Sequence, residues 1–118
     1  MVSELREDGV LTTFLADSEP PSTYLLFQRL IQPLEPDDDD TELYIERDDQ
    51  LYSGYGGLET AILRDHELQL VASDGRNPAL GTGLTVTLAL DRAALERLDD
   101  LLREVLPNSV KFLDERRR

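Results

Sequence analysis

The chain has 118 residues, 40% of them apolar, no cysteine, and 25 acidic residues against 12 basic ones, for a net charge of −13. That length suits one domain with one core. The missing thiols exclude disulfides and thiolate zinc sites, and no apolar run approaches the eighteen residues of a membrane span.

A field of this sign repels nucleic acid and anionic membrane, and it speeds encounter with a cationic partner in a way that salt weakens. The same acidity also has a reading confined to solubility, as in a salt-adapted proteome, so charge alone assigns no role. The opening MVSELREDGV carries charges where a secretion signal needs an unbroken apolar segment. The expected location is therefore the cytoplasm.

In chain order, Glu4 to Asp17 begins polar and then turns β-rich, and Val10 to Ala16 is read as a strand despite imperfect alternation. Ser18 to Ser22, with two prolines, is a loop. Tyr24 to Ile31 is a short, nearly continuous apolar run whose length and aromatic content favour a buried strand over a short helix. Pro33 to Asp40 is a solvated loop, because four consecutive aspartates repel one another and bury nothing. Those aspartates lack the alternation around a glycine and the closing glutamate of a calcium loop.

Leu43 to Arg47 alternates as a half-buried strand, and Asp48 to Gln50 reads as its turn. Leu51 to Gly57, LYSGYGG, is a glycine-softened connection expected to hold a bulge, a strand entry or a close backbone contact. A phosphate-binding loop needs a helix after the glycines, whereas Leu58 to Arg64 reads as a strand. Leu58 to Ser73 is a hairpin, with Leu58, Thr60 and Ile62 on one face of its first arm and Leu68, Leu70 and Ala72 on one face of its second. His66 lies in its turn, where turn residues are exposed.

Asp74 to Gly83 is a turn-rich loop, expected as a flexible rim. Leu84 to Leu90 alternates strictly and is read as a strand. Asp91 to Leu106 is an amphipathic helix, with Asp91 as N-cap and Leu95, Leu98, Leu101, Leu102 and Val105 along one stripe. Pro107 and Asn108 stop it, Ser109 to Leu113 is a short edge strand, and the basic end is solvated chain terminus.

The sum is an α+β domain spanning 1–118: a mostly antiparallel sheet of about six strands with one C-terminal amphipathic helix packed on one face. Residues 1–8 and 114–118 are expected to fray. The scattered carboxylates and the single histidine supply no nucleophile and base at a telling spacing, so no catalytic residue, metal site or cofactor is expected.

The stretch Tyr44-Ile45-Glu46-Arg47-Asp48-Asp49-Gln50, followed by Ser53-Gly54-Tyr55-Gly56-Gly57-Leu58-Glu59 and then by Leu63-Arg64 and Leu68, resembles the immunity protein 10 family. The resemblance runs over about Tyr44 to Leu106 and is thin before Thr41. It implies a small bacterial α+β protein, not an enzyme, that occludes a co-encoded polymorphic toxin.

A basic nuclease cleft suits an inhibitor of this charge, which would act as a monomer or homodimer, with neither nucleic acid nor membrane as partner. The candidate contact residues are Tyr44, Tyr52 and Tyr55, as aromatic anchors, with Glu46, Asp48 and Asp49 as charged partners. Each tyrosine also has a reading as a half-buried support for the sheet. The alternative role is a small acidic sheet domain that binds a peptide or small molecule, or assembles with itself, without any toxin.

Overall fold

The chain is described from a computed structural model, which covers residues 1–16, 23–31, 42–73 and 75–116, with backbone alone at 49–51. The loops expected at 18–22 and 33–40 lie outside the described residues. Five strands, β1 (Val2–Glu7), β2 (Val10–Ala16), β3 (Tyr24–Leu30), β4 (Tyr44–Arg47) and β5 (Asp49–Tyr55), form an antiparallel meander in chain order. A second sheet has the order β8-β7-β6-β9, from β6 (Leu58–Leu63), β7 (Glu67–Ala72), β8 (Leu84–Thr87) and β9 (Lys111–Asp114). Between its last two strands in sequence lies the helix α1 (Arg92–Val105). The intervening helix lets β9 return parallel to β6, a pairing no short hairpin can make.

The class is thus α+β with one C-terminal helix packed on sheet, as the sequence predicts, and the strands divide into two sheets. The division falls at Gly56 and Gly57, whose φ values of 69° and 78° turn the backbone out of the ladder where a side chain would be strained. Inward-facing side chains of both sheets then build a shared core. Leu11, Leu15, Leu25, Phe27 and Ile45 of the meander meet Leu58, Ala61, Leu63, Leu68 and Leu70 of the second sheet and Leu98, Leu101, Leu102 and Val105 of the helix. Each such side chain, once fully buried, contributes roughly 1.5–3 kcal/mol before entropy is counted.

The helix is fixed at both ends. Asp91 caps it by accepting the Ala94 amide at 2.8 Å. At the other end Arg29, from β3, donates Nε to the Val105 carbonyl at 2.7 Å and Nη2 to that of Glu104 at 3.1 Å. These bonds satisfy carbonyls that the helix leaves open and place a cation at its negative pole. Arg6 of β1 grips the Glu104 carboxylate with both Nη atoms at 2.6 Å, and this contact holds that carboxyl below its usual range.

Several local expectations are corrected. Residues 2–7 form an edge strand paired along its whole length with β2. Asp48 alone makes the turn after β4: at a φ of 64° it reverses the chain in one residue, so Asp49 to Tyr55, expected as turn and connection, run as strand. A register shift between Leu58 and Thr60 changes the phase of β6, so its buried face is Leu58, Ala61 and Leu63 rather than Leu58, Thr60 and Ile62. Strand pairing of β8 stops at Thr87, although Leu88 stays buried.

The expected rim at 75–83 puts Asn77, Ala79 and Leu80 into the interior. Asn77 locks it there, donating Nδ2 to the Gly56 carbonyl at 2.8 Å and accepting the Ala79 amide at 3.0 Å. Arg116, expected as solvated tail, forks onto Asp114 at 2.9 Å and reaches Asp99 at 3.3 Å, tying β9 to the helix.

Candidate recognition surface

The helix and the second sheet cover one face of the meander. Register places Ser3, Leu5 and Glu7 of β1, Val10, Thr12 and Phe14 of β2, Tyr24, Leu26, Gln28 and Leu30 of β3, Tyr44 and Glu46 of β4, and Ser53 and Tyr55 of β5 on the other. No lysine or arginine stands at these positions. A face merely meeting water would alternate apolar-in with polar-out, yet this one carries leucines, a phenylalanine and three tyrosines.

At its centre is Glu46, only 9% exposed. Tyr24 Oη donates to its Oε2 and Tyr44 Oη to its Oε1, both at 2.6 Å, the length of charge-assisted O–H···O⁻ bonds. Two phenols thus replace water around one carboxylate. The hydrogen bond to Glu46 raises the Tyr44 pKa above the ordinary phenol value, against a smaller opposite effect from Ser53. The rings extend the patch on either side: Phe14 stacks on Tyr24 at 5.3 Å between centroids, and Tyr44 meets Tyr55 across the strand pair at 5.2 Å. Tyr55 is 67% exposed.

Two depressions open on this face. One, of about 510 Å³, is lined by Val10, Gln28, Arg29, Leu30, Glu42, Tyr44 and Tyr55. The other, of about 250 Å³, adjoins it through Val10 and Gln28 and is rimmed by Glu7 and Asp8.

Of the candidate contact residues, Tyr44, Glu46 and Tyr55 come together here. Tyr52 does not: it stands 49% exposed on the opposite face of β5, under the Arg47 guanidinium at 5.5 Å. Asp48 has a backbone role, its Oδ1 accepting the Tyr24 amide at 2.8 Å and its own amide donating to the Tyr24 carbonyl at 3.0 Å. Asp49 opens β5, opposite Arg47 in register, and its side chain lies outside the description. Phe14 and Tyr24 were missed by residue-type reasoning. Their signal was the imperfect alternation of β2 and β3, which are apolar on both faces.

His66 is exposed, on a cleft shared with Asp65, Glu96 and Asp99. Among the described residues no group of three or more His, Asp or Glu is placed to hold a metal ion. No described helix is long and apolar enough to cross a membrane.

Among the described residues the fold is a two-sheet α+β scaffold in which no helix or strand packs over the aromatic outer face of the meander. A sequence model of the family described as Immunity protein 10 matches residues 1–98, and the chain belongs to that family. Its role is therefore toxin immunity in general terms, with a toxin protein as partner and binding rather than catalysis as the family's mode. The match includes β1 to β3, which the local resemblance leaves thin, and stops within α1. Comparison with curated proteins and with solved structures gave no match.

Proposed function

We propose that the chain neutralises a co-encoded polymorphic toxin by laying the uncovered face of β1–β5 over the toxin's working surface. The observation that carries this reading is the Glu46 patch: a carboxylate held by two phenols, flanked by the ring pairs Phe14–Tyr24 and Tyr44–Tyr55. Tyr44 and Tyr55 are the anchors, and Glu46, Glu42 and Glu7 supply the charge. A toxin with a basic surface, such as a nuclease cleft, complements them and would be drawn in by the net charge. The action is occlusion in the cytoplasm by a monomer or homodimer, one copy per toxin, without turnover.

The test is co-expression with the product of the adjacent gene, followed by titration of toxin activity with purified protein. Growth should be restored, inhibition should end at equimolar protein, and association should slow as salt rises. Tyr55→Ala should weaken binding by about tenfold or more, as loss of an interface anchor does. An adjacent product that is harmless alone, or that stays toxic beside this chain, overturns the reading. Inhibition far below equimolar protein would instead point to an enzyme.

A further inference from the structure

Strand β1 forms one edge of the meander, three strands from Glu46, and its features are independent of the toxin reading. Its pairing with β2 fixes which backbone groups are unused. Ala16 donates its amide to the Met1 carbonyl at 2.9 Å, and the register then sets Ser3 opposite Phe14, Leu5 opposite Thr12 and Glu7 opposite Val10. Antiparallel strands alternate between bonded and unbonded pairs, so these odd-numbered residues bond to β2. The N–H and C=O groups of Val2, Glu4 and Arg6 therefore point outward from the sheet edge. One bond fits this parity: the Val2 carbonyl accepts Arg97 Nη1 of the helix at 3.1 Å. The backbone groups of Glu4 and Arg6 have no such partner among the described residues.

A bare edge is a template for another strand, and side-chain charge decides which. Glu4 and Arg6 project on the covered face beside the helix, where Arg6 Nε meets Glu4 Oε2 at 2.8 Å and Arg97 Nη2 meets Glu4 Oε1 at 3.5 Å. Leu5 projects on the other face and is 58% exposed. Charges of one sign would guard such an edge, whereas charges of alternating sign admit one register. A second copy laid antiparallel against β1, with the two-fold axis at Leu5, sets Leu5 on its own counterpart, Ser3 opposite Glu7, and Glu4 opposite Arg6 on both sides of the axis. It also brings Asp8 of that copy opposite Val2, whose carbonyl holds the Arg97 guanidinium. The bonded positions are then Glu4 and Arg6 of both copies, the residues with unused groups. Moving the axis to Glu4 or to Arg6 would put like charges face to face, which opposes pairing. The net charge of −13 acts against association from farther off, but at about 0.15 M salt charges more than about 8 Å apart are largely screened. The alternating charges at the axis decide.

We infer that β1 is the edge through which the chain associates with itself: two copies join in an antiparallel β1–β1 pair centred on Leu5, which merges their two five-stranded sheets into one. The axis stands perpendicular to the sheet, so both Glu46 patches face the same way and stay clear of the contact. Each copy spends its β1 edge once, and the assembly closes at two.

Sedimentation equilibrium from about 10 μM to about 1 mM protein should show the mass rising from 13.3 kDa to twice that value and no further. Cross-linking reads the register. The chain has no cysteine, so Leu5→Cys supplies one thiol per copy, and the unbonded pair at the axis holds its Cα atoms about 4.5 Å apart, within disulfide reach. Oxidised glutathione should convert Leu5→Cys to a linked dimer at least about tenfold faster than Ser3→Cys, whose counterpart lies about 14 Å away. Glu4→Lys leaves two cations on the edge and Arg6→Glu two anions, so each alone should keep the mass of one copy. An equimolar mixture of the two should recover the doubled mass, because every charge then meets its opposite. Leu5→Arg, at an exposed position, should also hold the chain at one copy, and it tests the contact should either charge variant fail to fold. A single-copy mass at about 1 mM, growth beyond two copies, equal oxidation of the two cysteine variants, or no recovery on mixing the folded charge variants would each overturn the inference.

Discussion

The two faces of the five-stranded meander are made by the same strands and differ in almost every other respect. Inward, Leu11, Leu15, Leu25, Phe27 and Ile45 are closed over by the helix and the second sheet. Outward, Phe14, Tyr24, Tyr44 and Tyr55 are just as aromatic or more so, yet no described helix or strand packs over them, and they are arranged around a carboxylate. Hydrophobic content alone does not distinguish core from recognition surface here. The distinction lies in how the polar groups are used: phenol hydroxyls and Glu46 satisfy one another on the open face, whereas Arg6 and Arg29 of the closed face bond to the end of the helix.

The sharpest way to break this comparison is to truncate one aromatic on each side. Phe27→Ala should cost about 3–5 kcal/mol, the range for emptying a buried aromatic site. Phe14→Ala should cost about 1 kcal/mol, within the ordinary range for point substitutions. Urea denaturation of both variants measures the difference, and equal costs would mean that the outward face is core.

Next in size is Gly54→Ala on the inward side of β5. A Cβ there would meet Asn77 Oδ1 at 2.8 Å, and displacing the side chain that locks loop 75–83 should cost about 1–3 kcal/mol, as overpacking does. Loss of amide-exchange protection in that loop is the specific sign.

Thr13 tests the closed face from the polar direction. It is fully buried and its hydroxyl has no partner. Thr13→Val removes that hydroxyl and should stabilise the chain by about 1 kcal/mol, read as a raised urea midpoint.

The smallest effect is a titration. Because the folded Tyr44 pKa lies above its unfolded value through the bond to Glu46, the associated stability is fully present below the unfolded phenol pKa and is lost as pH rises through the folded one. Ultraviolet difference spectra should show late-titrating phenol absorbance, and Glu46→Gln should bring the Tyr44 share of it back toward the ordinary phenol range.

Most element types were legible because each has a local cause. The helix announces itself through Asp91 and its leucine stripe, β2 and β3 through short runs rich in β-forming residues, and β7 through alternation. What stayed hidden was set by single residues acting at a distance. One left-handed Asp48 turned an expected loop into β5, and one irregularity at Leu58 moved the buried face of β6. Asn77 drew a turn-rich loop inward through a bond to a carbonyl twenty-one residues earlier. The candidate surface was half visible. Tyr44, Glu46 and Tyr55 were singled out as residue types, but their partners Phe14 and Tyr24 come from strands that only the fold brings alongside, and Tyr52 was assigned without knowing its face.

The parallel strand β9 carries a consequence for how the molecule is made. The meander closes through neighbours in sequence, so each hairpin can form as it is synthesised. Strand β6, by contrast, waits for a partner in which Thr60 meets Lys111, and loop closure over that separation is slow compared with a hairpin. Until then one edge of β6 lies open, an invitation to pair with another chain. The Asp99, Asp114 and Arg116 network then acts as a latch on the last step. A chain cut after Val110 should keep its meander and grow in mass with concentration through that open edge, as sedimentation would record. A strictly monomeric product would show that β6 needs no cover.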